Sequence, residues 1–437
     1  MSEQSRTVPE RIFTGVPDAE PNRVPATVPD ESGVPAKNSA KKPSRRENYF
    51  IMCGHAADDL CQGSLPAVLA FMYQQGLLHS YSQVAFLILM TTVVNAVAQP
   101  LTGFLADKRP MPYLMCAGML TAALGVAFLG FTENYWLMLA LVAVNGVGVA
   151  TFHPSAGKLA NTFAGTRVGK GMSIFSVGGN VGYAVGPLYF TALYAIFGLK
   201  ATAFLLVPAL GMSVIFIRKN RFYRVSLKRA EQKMRRRVEG GNVKENYSGT
   251  AILLLLVFSR SASIAGLTTF LPLYFMHVLG QSEQLAALSL TLIGIGGAVA
   301  TFFGGPMADR FGFTQFVRFT SLLCVPFGVL FLFPQNVWLC LPPLVLFGVF
   351  FYAAMSPVVV IGQKMLPLHV GMATGITIGL GISFGGLVAP LLGTLGDRCG
   401  LSATMDAVVA ISVLSFLFSL FVPVVNRPKK RGNVPAA

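Results

Sequence analysis

The sequence predicts an all-α polytopic membrane protein with 12 transmembrane helices arranged as two six-helix repeats. Its 437 residues are 53% hydrophobic and only 12% charged, and the mean hydropathy is +0.61. Soluble domains carry about twice that charged fraction. Most of the chain consists of apolar runs of about 20 residues, the length of a membrane-spanning helix, separated by short polar loops. This pattern predicts a chain that lies mostly in lipid.

The apolar runs divide the chain into two halves around a basic segment. The spans are predicted near residues 49–73, 82–106, 113–131, 135–159, 169–197, 201–217, 250–278, 284–308, 316–333, 337–363, 371–395 and 403–425. The predicted organisation is a disordered cytoplasmic tail (1–47), an N-terminal half (48–217), a basic cytoplasmic loop (218–248), a C-terminal half (249–425) and a cytoplasmic tail (426–437). The basic loop is interpreted as an orientation signal and linker, or as an amphipathic helix on the membrane surface.

Basic residues are concentrated in alternate loops, and this predicts the orientation of the chain. The formal net charge is +16. Lys and Arg residues occur before the first span, in the even-numbered loops and in the last tail, whereas the opposite loops carry little beyond Lys200 and Arg398. Because positive loops stay in the cytoplasm, both termini are predicted to be cytoplasmic. The charge is therefore assigned to basic residues gathered in cytoplasmic loops, of which the central loop would be attracted to anionic membrane lipid, and no nucleic-acid partner is expected.

Short motifs recur in the two halves at nearly one offset, which predicts that the halves are structural repeats. The matched pairs are His153-Pro154 with Ser356-Pro357, Gly182–Pro187 with Gly385–Pro390, Gly103–Asp107 with Gly305–Asp309, and Leu65-Pro66 with Leu271-Pro272. Parallel repeats of this kind place a substrate site between the halves, near the bilayer midplane.

Several of these motif residues are candidates for gating the passage between the halves. Glycines four residues apart, at Gly182 and Gly186, allow two membrane helices to approach backbone to backbone. Pro187 removes one backbone hydrogen bond and favours a kink beside them. The repeated Gly-x-x-x-Asp segments add the last candidates, which are Gly103, Asp107, Gly305 and Asp309.

Ionisable side chains inside the first span are the strongest candidates for proton coupling, because such groups are costly in lipid. Asp59 lies about ten residues into the span, or about 15 Å deep at 1.5 Å per residue. His55 lies on the same helical face and could share or relay a proton held by Asp59. Gln62 continues this face and is a candidate for binding substrate. Asp58 lies on a neighbouring face and could meet another helix. The alternative for Asp59 is a structural hydrogen bond to a neighbouring helix.

Arg260 is predicted at a similar depth in the seventh span and is a candidate for binding an anionic substrate. Its fork of donors suits a phosphonate or carboxylate. A salt bridge to Asp58 or Asp59 that closes the two halves is the alternative. The two roles are compatible if substrate and carboxylate compete.

Three further polar residues have open roles. His153 could bind an anion or bond a carbonyl group freed by Pro154, and the second role is favoured. Asn180 could donate to substrate or to a neighbouring helix. Lys158 is interpreted as a lysine that snorkels from a helix end.

Several motifs resemble those of the major facilitator superfamily. GFLADKR and GPMADRFG resemble the loop signature that follows its second and eighth helices, and Gly182–Pro187 resembles the antiporter motif of its fifth helix. A closer resemblance is to the fosmidomycin-resistance drug antiporters. It rests on the segments GHAADDLCQGSLP, TFHPSAGKLA, GMSIFSVGGNVGYAVGPL, FSRSASI and Lys364–Pro367. The resemblance runs from about residue 48 to residue 423.

The resemblance implies the major facilitator fold and proton-coupled efflux of small drugs, fosmidomycin-like anions among them, by alternating access. It also implies a monomer in the bacterial inner (plasma) membrane, which is driven by the proton gradient and needs no cofactor. The alternatives are a proton symporter of a small organic anion and a non-transporting membrane sensor.

Enzymatic activity is not expected, because the sequence shows no nucleophile–base pair and no metal-ligand cluster. The six cysteines have no ligand spacing and are interpreted as small packing residues. The sequence therefore predicts neither a metal site nor a disulfide framework.

Overall fold

The structure, a computed structural model, is almost entirely helical and describes residues 46–241, 244–333 and 336–425. Most of the predicted N-terminal tail, residues 1–45, and the whole tail 426–437 lie outside the described residues. The α-helices are α1 (Arg46–Gln74), α2 (Tyr81–Lys108), α3 (Tyr113–Ala127), α4 (Tyr135–Ala164), α5 (Val168–Phe197), α6 (Leu206–Glu239), α7 (Tyr247–His277), α8 (Glu283–Phe311), α9 (Phe313–Leu332), α10 (Val337–Ala353), α11 (Met355–Met365), α12 (Val370–Gly375), α13 (Gly381–Cys399) and α14 (Leu401–Phe421). Shorter turns are 3-10 helices at Leu129–Phe131 and Gly198–Leu205 and a π-helix at Ile376–Leu380.

Within the described residues, 10 helical segments are long and apolar enough to cross a membrane. One of these segments, Val168–Glu239, contains both α5 and α6, joined by a 3-10 turn. Helix α1 has 29 residues but is not among the 10, because His55, Asp58 and Asp59 make it less apolar. The chain is therefore a multi-pass membrane protein, and the count of 12 spans stays a prediction.

Helix α6 extends much further than the sixth predicted span, which ends at residue 217. It continues as one helix of 34 residues to Glu239 and so includes most of the segment predicted as a basic loop. Ten of the 22 residues in this extension, 218–239, are Arg or Lys, which are good helix formers. The amphipathic-helix alternative therefore describes residues 218–239 better than an irregular linker does.

The motif prolines affect the helices of the two halves differently. Pro154 has no backbone N–H group to donate to the carbonyl oxygen of Ala150. This oxygen instead accepts a hydrogen bond of 2.5 Å from the Thr102 hydroxyl, and α4 continues through the proline. In the second half, the corresponding region is divided into α10 and α11. The first of these helices ends at Ala353, the residue whose carbonyl group the ring of Pro357 would meet.

Helices α1 and α5 pack backbone to backbone along a ladder of small residues. Three glycines of α5 face three carbonyl oxygens of α1, in the pairs Gly178–Met52, Gly182–Ala56 and Gly186–Leu60. A Cβ on any of these glycines would overlap the facing oxygen. Because both rows repeat every four residues, the helices stay in contact over two turns. This contact holds α5 against the face of α1 that carries His55 and Asp59.

Gly186→Ala is therefore expected to destabilise the protein, because backbone atoms of Leu60 and Ser64 occupy the space that a methyl group would need. Overpacking of this kind costs about 1–3 kcal/mol. Thermal unfolding of the purified protein should show a lower midpoint than that of the unaltered chain. The matched control is Gly294→Ala in α8, where a Cβ meets open space. A Gly186→Ala variant as stable as this control would contradict the close packing.

Candidate functional site

The buried polar cluster at the centre of the first half consists of His55, Asp58 and Asp59 of α1 and His153 of α4. These residues are 0–8% exposed. Asp59 follows His55 by one helical turn, so both side chains project toward the same neighbouring helices. The ring of His55 stacks on that of Phe175 in α5, with the ring centroids 4.0 Å apart. The cluster is thus enclosed by α1, α4 and α5.

Three members of the cluster bring their polar atoms within 3.3 Å of one another. The Nε2 atoms of His55 and His153 are 3.1 Å apart. The Asp59 carboxylate reaches both rings, with Oδ2 at 3.3 Å from Nε2 of His55 and Oδ1 at 3.3 Å from Nε2 of His153. We call this set, His55, Asp59 and His153, the His-Asp trio.

The other ring nitrogen of each histidine faces a backbone carbonyl group. Nδ1 of His55 lies 2.7 Å from the carbonyl oxygen of Phe175, and Nδ1 of His153 lies 3.0 Å from that of Val149. Each Nδ1 must donate, because a carbonyl oxygen can only accept. This differs from the expectation for His153, because the carbonyl group freed by Pro154 belongs to Ala150 and is bonded by Thr102.

Asp58 lies behind the trio and is fully buried. Its Oδ2 is 3.7 Å from Nδ1 of His153, and neither carboxylate oxygen has a hydrogen-bond partner in the described chain. The sequence put Asp58 on a face of α1 different from that of Asp59. The structure accordingly places the two carboxylates against opposite nitrogens of one imidazole, so His153 joins them into a single electrostatic unit.

Gly179 of α5 leaves space beside the trio. A Cβ at this position would lie against Oδ2 of Asp59 and the Cε1–Nε2 edge of His55. Only glycine therefore lets α5 cover the cluster so closely. Asp59 is the most accessible member of the trio, with 12% of its side chain exposed.

The remaining polar candidates of the first half are close to the trio in sequence but do not bond to it. Gln62 lies three residues beyond Asp59 in α1, and Asn180 follows Gly179 in α5. Both are partly exposed, and neither amide makes a hydrogen bond within the described residues. Their donors and acceptors are therefore available to other molecules.

Arg260 is buried inside the second half and contacts none of the trio. Its guanidinium group lies over the ring of Phe351, 4.2 Å from the centroid, and Nη2 donates to the carbonyl oxygen of the same residue. Within the described chain it forms no ion pair with Asp58, Asp59 or any other carboxylate. The salt-bridge alternative is therefore absent from this conformation, and the cation has no negative partner among the described residues.

Asp107 connects the two halves at the end of the bundle that carries the Gly-x-x-x-Asp segments. Its carboxylate accepts hydrogen bonds from the backbone N–H groups of Gly371 (2.9 Å) and Met372 (2.8 Å), at the start of α12. A helix N-terminus stabilises a carboxylate through its free N–H groups and its dipole. Gly103 lies one turn earlier, and a Cβ there would overlap the carbonyl oxygen of Gly371.

Asp309 makes the reciprocal connection from the second half. It accepts hydrogen bonds of 2.9 Å from the N–H groups of both Gly169 and Lys170, at the start of α5. Gly305 lies against the carbonyl oxygen of Gly169 and donates to the Ser173 hydroxyl at 2.9 Å. Each half therefore caps a helix of the other, and we call the Asp107 and Asp309 contacts the two cap contacts.

Lys158 belongs to only one of the two cap contacts. Its Nζ lies 3.0 Å from Oδ1 of Asp107 and 2.7 Å from Oε1 of Glu231, and it donates to the carbonyl oxygen of Ala106. The residue is 6% exposed, so the snorkelling interpretation is wrong. Glu231 lies in the extension of α6, which therefore reaches the cap contact of the first half.

Glu245 fixes the turn that precedes α12. It accepts hydrogen bonds from the Leu368 N–H group (3.2 Å), Nδ1 of His369 (2.8 Å) and the Tyr247 hydroxyl (2.5 Å). Burial raises the pKa of its carboxyl group, but these donors and the nearby imidazole outweigh that effect, so the pKa lies below its usual value. The carboxylate is therefore ionised at neutral pH and tethers the start of α7 to α12.

Several features of the site were not predicted from the sequence. His55 and His153 are 98 positions apart, and no local spacing connects them. The available signal was that both are ionisable residues within apolar runs. Gly179 and Glu231 gave no such signal. The expectation that no metal-ligand cluster exists is also corrected, because His55, Asp59 and His153 each offer a ligand atom within 4.8 Å of the others.

Comparisons with known proteins place this geometry in context. A family model described as Major Facilitator Superfamily matches residues 51–390 and, again, residues 253–436. The uncharacterized MFS-type transporter YfnC of Bacillus subtilis (strain 168) is 34% identical over 371 residues, covering 83% of this chain and 89% of its own. The fosmidomycin resistance protein of Escherichia coli (strain K12) is 26% identical over 400 residues, covering 90% of this chain and 98% of its own.

Solved structures share the fold at low sequence identity. The crystal structure of the human organic anion transporter MFSD10 aligns with a TM-score of 0.67 and 16% identity, covering 86% of this chain and 100% of that chain. Sequence and structure comparisons thus agree on the architecture.

Proposed function

This chain belongs to the major facilitator superfamily of transporters, and from that premise we propose that it is a proton-coupled antiporter that expels small anionic drugs. The observation that carries the proposal is the buried His-Asp trio with Asp58 beside it. The relative called a fosmidomycin resistance protein, which matches along 90% of this chain, supports a phosphonate-like drug as the substrate. We further propose a bacterial inner-membrane location with both termini in the cytoplasm, and a monomer as the working unit.

Proton coupling is assigned to the trio because its titratable groups lie close enough to pass a proton between them inside the bundle. Two carboxylates and two imidazoles share one buried space, where net charge is costly. Uptake or release of a proton therefore changes the electrostatic energy of the whole cluster. Asp59 is the member through which protons enter, since its carboxylate touches both imidazoles and keeps the largest exposed fraction.

Anion binding is assigned to Arg260, together with the amides of Gln62 and Asn180, which form no hydrogen bond within the described residues. A guanidinium group keeps its charge in proteins, and a buried charge requires compensation. Arg260 has a carbonyl oxygen and an aromatic face but no described carboxylate. An anionic substrate that reaches this region would supply the missing negative charge. This assignment requires the Arg260 side chain to turn toward the space between the halves.

Arg260→Gln is expected to weaken binding of anionic substrates by at least tenfold while affecting neutral ones much less, because a charged hydrogen bond contributes about 1.5–3 kcal/mol. Arg260→Lys should recover only part of the affinity, since an ammonium group cannot form the bidentate fork. Binding to purified protein is measured by calorimetry. Arg318→Gln is the control, because Arg318 also donates to carbonyl oxygens but lies between α9 and the end of α14. Equal losses for charged and neutral substrates would make Arg260 a purely structural residue.

Alternating access is assigned to the two cap contacts. Asp107 and Asp309 close one end of the bundle, which we take as the cytoplasmic end. In the opposite state these carboxylates must separate from α12 and α5, because α2 and α8 would move with their own halves. Gly182 and Gly186 belong to the α1–α5 contact that carries the trio through this motion, and Pro187 follows them in α5.

Transport by purified protein in liposomes tests the proposal most directly. With a pH gradient imposed, a labelled phosphonate drug should move against its concentration gradient in the direction opposite to protons. Movement in the same direction as protons would identify a symporter of an organic anion. Absence of any substrate-dependent flux or proton movement across a panel of anionic drugs would contradict the proposed activity.

A further inference from the structure

The two histidines of the trio present their Nε2 atoms to each other at 3.1 Å, and this contact needs a positive partner. Both Nδ1 atoms carry hydrogen, because each faces only a carbonyl oxygen within hydrogen-bond distance. In a neutral imidazole the other nitrogen then carries a lone pair. Two lone pairs and the Asp59 carboxylate therefore converge on one point. Such an arrangement is stable only when a proton or a cation lies among them.

We propose that His55, Asp59 and His153 form a binding site for a divalent transition-metal ion such as Zn²⁺. Zinc binds imidazole nitrogen and carboxylate oxygen at about 2.0–2.2 Å in tetrahedral geometry, which separates neighbouring ligand atoms by roughly 3.3 Å. In the trio the two imidazole nitrogens are 3.1 Å apart, and each lies 3.3 Å from a different oxygen of the Asp59 carboxylate. The two nitrogens are therefore spaced nearly as in a zinc site, and the carboxylate beside them can supply either oxygen as the third ligand.

The surroundings of the trio fit the same assignment. A ligating histidine usually donates its other N–H group to a carbonyl or carboxylate oxygen, which fixes the ring. Phe175 and Val149 provide such carbonyl groups. Asp58 adds a second buried carboxylate beside His153, so one divalent ion would balance the charge of both aspartates. Gly179 leaves room on the α5 side, and three protein ligands leave a position for water or another ligand.

The donor set also indicates which ions would bind. Imidazole nitrogen suits Zn²⁺, Co²⁺, Ni²⁺ and Cu²⁺, whereas Mg²⁺ and Ca²⁺ require mainly oxygen ligands. The partly exposed carboxylate of Asp59 provides the point of entry. The inference does not rest on the proposed drug efflux, since an ion can bind in the absence of substrate and of a proton gradient.

Zn²⁺ titration of the full-length protein, purified in detergent without a histidine tag and stripped with chelator, tests the site. One ion per chain should bind in calorimetry, and a large excess of Mg²⁺ should not displace it. His55→Gln and His153→Gln should each weaken binding by more than about 100-fold, because each removes one of three ligands and the loss of an outer-shell partner alone costs about 10–100-fold. The matched controls are His79→Gln and His277→Gln, which change exposed histidines elsewhere and should bind as the unaltered chain does.

A spectroscopic measurement on the unaltered protein keeps the test decisive if the variants do not fold. X-ray absorption of the zinc-loaded chain should show two imidazole nitrogens and a carboxylate oxygen at about 2.0–2.2 Å. Gly179→Ala should reduce affinity by filling the space beside the ion. Sulfur ligands, a shell of oxygen alone, or equal loss of binding in the His277→Gln control would overturn the proposal. Absence of binding to the folded, unaltered chain would leave the trio as a proton site only.

Discussion

Asp59→Asn is expected to abolish transport that is driven by a pH gradient, while the protein still folds and inserts. Asparagine has nearly the volume of the protonated acid, and a neutral amide is easier to bury than a carboxylate. It cannot release a proton, so the trio would lose its only carboxylate, the titratable group that touches both imidazoles. Drug accumulation in liposomes should fall to the level of protein-free vesicles. Drug binding should remain, with much weaker dependence on pH.

Neighbouring variants determine which group carries the proton. Asp406→Asn removes an exposed acid from α14 and should leave transport unchanged. His55→Gln should shift the pH profile without eliminating transport, because His153 still contacts Asp59. Asp58→Asn is the critical comparison, since this carboxylate faces the opposite nitrogen of the same imidazole. If Asp58→Asn abolishes coupling and Asp59→Asn does not, the proton is carried by Asp58 and not by the trio. If neither substitution matters, proton coupling through α1 is wrong.

The fold could be predicted from the sequence because its causes are local or repeated. Apolar runs of membrane-spanning length define most helices by themselves. The shared motifs of the two halves then indicate repeats, and the superfamily match agrees with them. The end of α6 was misplaced because the sequence signal for a span is apolar composition, which stops at residue 217. Helix formation beyond that point depends on polar residues with high helix propensity.

The candidate site was only partly predictable because its key contacts connect distant parts of the chain. Spacing along α1 placed His55 and Asp59 on one face, and the depth of Asp59 made it a candidate. No pattern could show that His153 completes the trio from α4. Lys158 illustrates the same limit, because a lysine at a helix end normally reaches water. Here the extension of α6 brings Glu231 to the Lys158 amine, which is buried while the Glu231 side chain stays 25% exposed.

The two cap contacts have equivalent hydrogen bonds, but only the Asp107 contact includes an ion pair. Substitutions at Asp107 and Asp309 should therefore have the same effect on closure of the bundle and different effects on thermal stability. Asp107 and Asp309 each accept two backbone hydrogen bonds of similar length from the opposite half. Only Asp107 also neutralises a buried lysine, through a contact within the first half. The hydrogen bonds exist only while the halves are closed at this end. The Lys158 contact joins helices of one half, so it stabilises the fold in either state.

Asp107→Asn and Asp309→Asn are therefore expected to open this end of the bundle equally. An amide can keep one of the two hydrogen bonds, so each variant loses about 2 kcal/mol of closure, or roughly a thirtyfold shift in population. Ser356→Cys provides the probe, because Ser356 is fully buried and bonds Ser173 and Ser176 across the halves. Alkylation by maleimide should accelerate about thirtyfold in both variants and not in the exposed control Asp397→Asn.

Stability should instead separate the two variants. Asp107→Asn removes one of the two carboxylates that contact Lys158 and leaves Glu231 and the Ala106 carbonyl group in place. The expected cost is that of one hydrogen bond to a charged group, about 1.5–3 kcal/mol. The thermal midpoint of Asp107→Asn should thus fall below that of Asp309→Asn, because the Asp309 carboxylate forms no ion pair within 4.0 Å in the described chain. Adding Lys158→Gln to Asp107→Asn should recover part of the loss, because it removes a buried cation that has lost one of its two carboxylate partners. Two outcomes would contradict this prediction: equal unfolding temperatures for the two single variants, or a double variant no more stable than Asp107→Asn. Either would mean that burial of Lys158 does not depend on Asp107 and that the asymmetry between the two cap contacts does not affect stability.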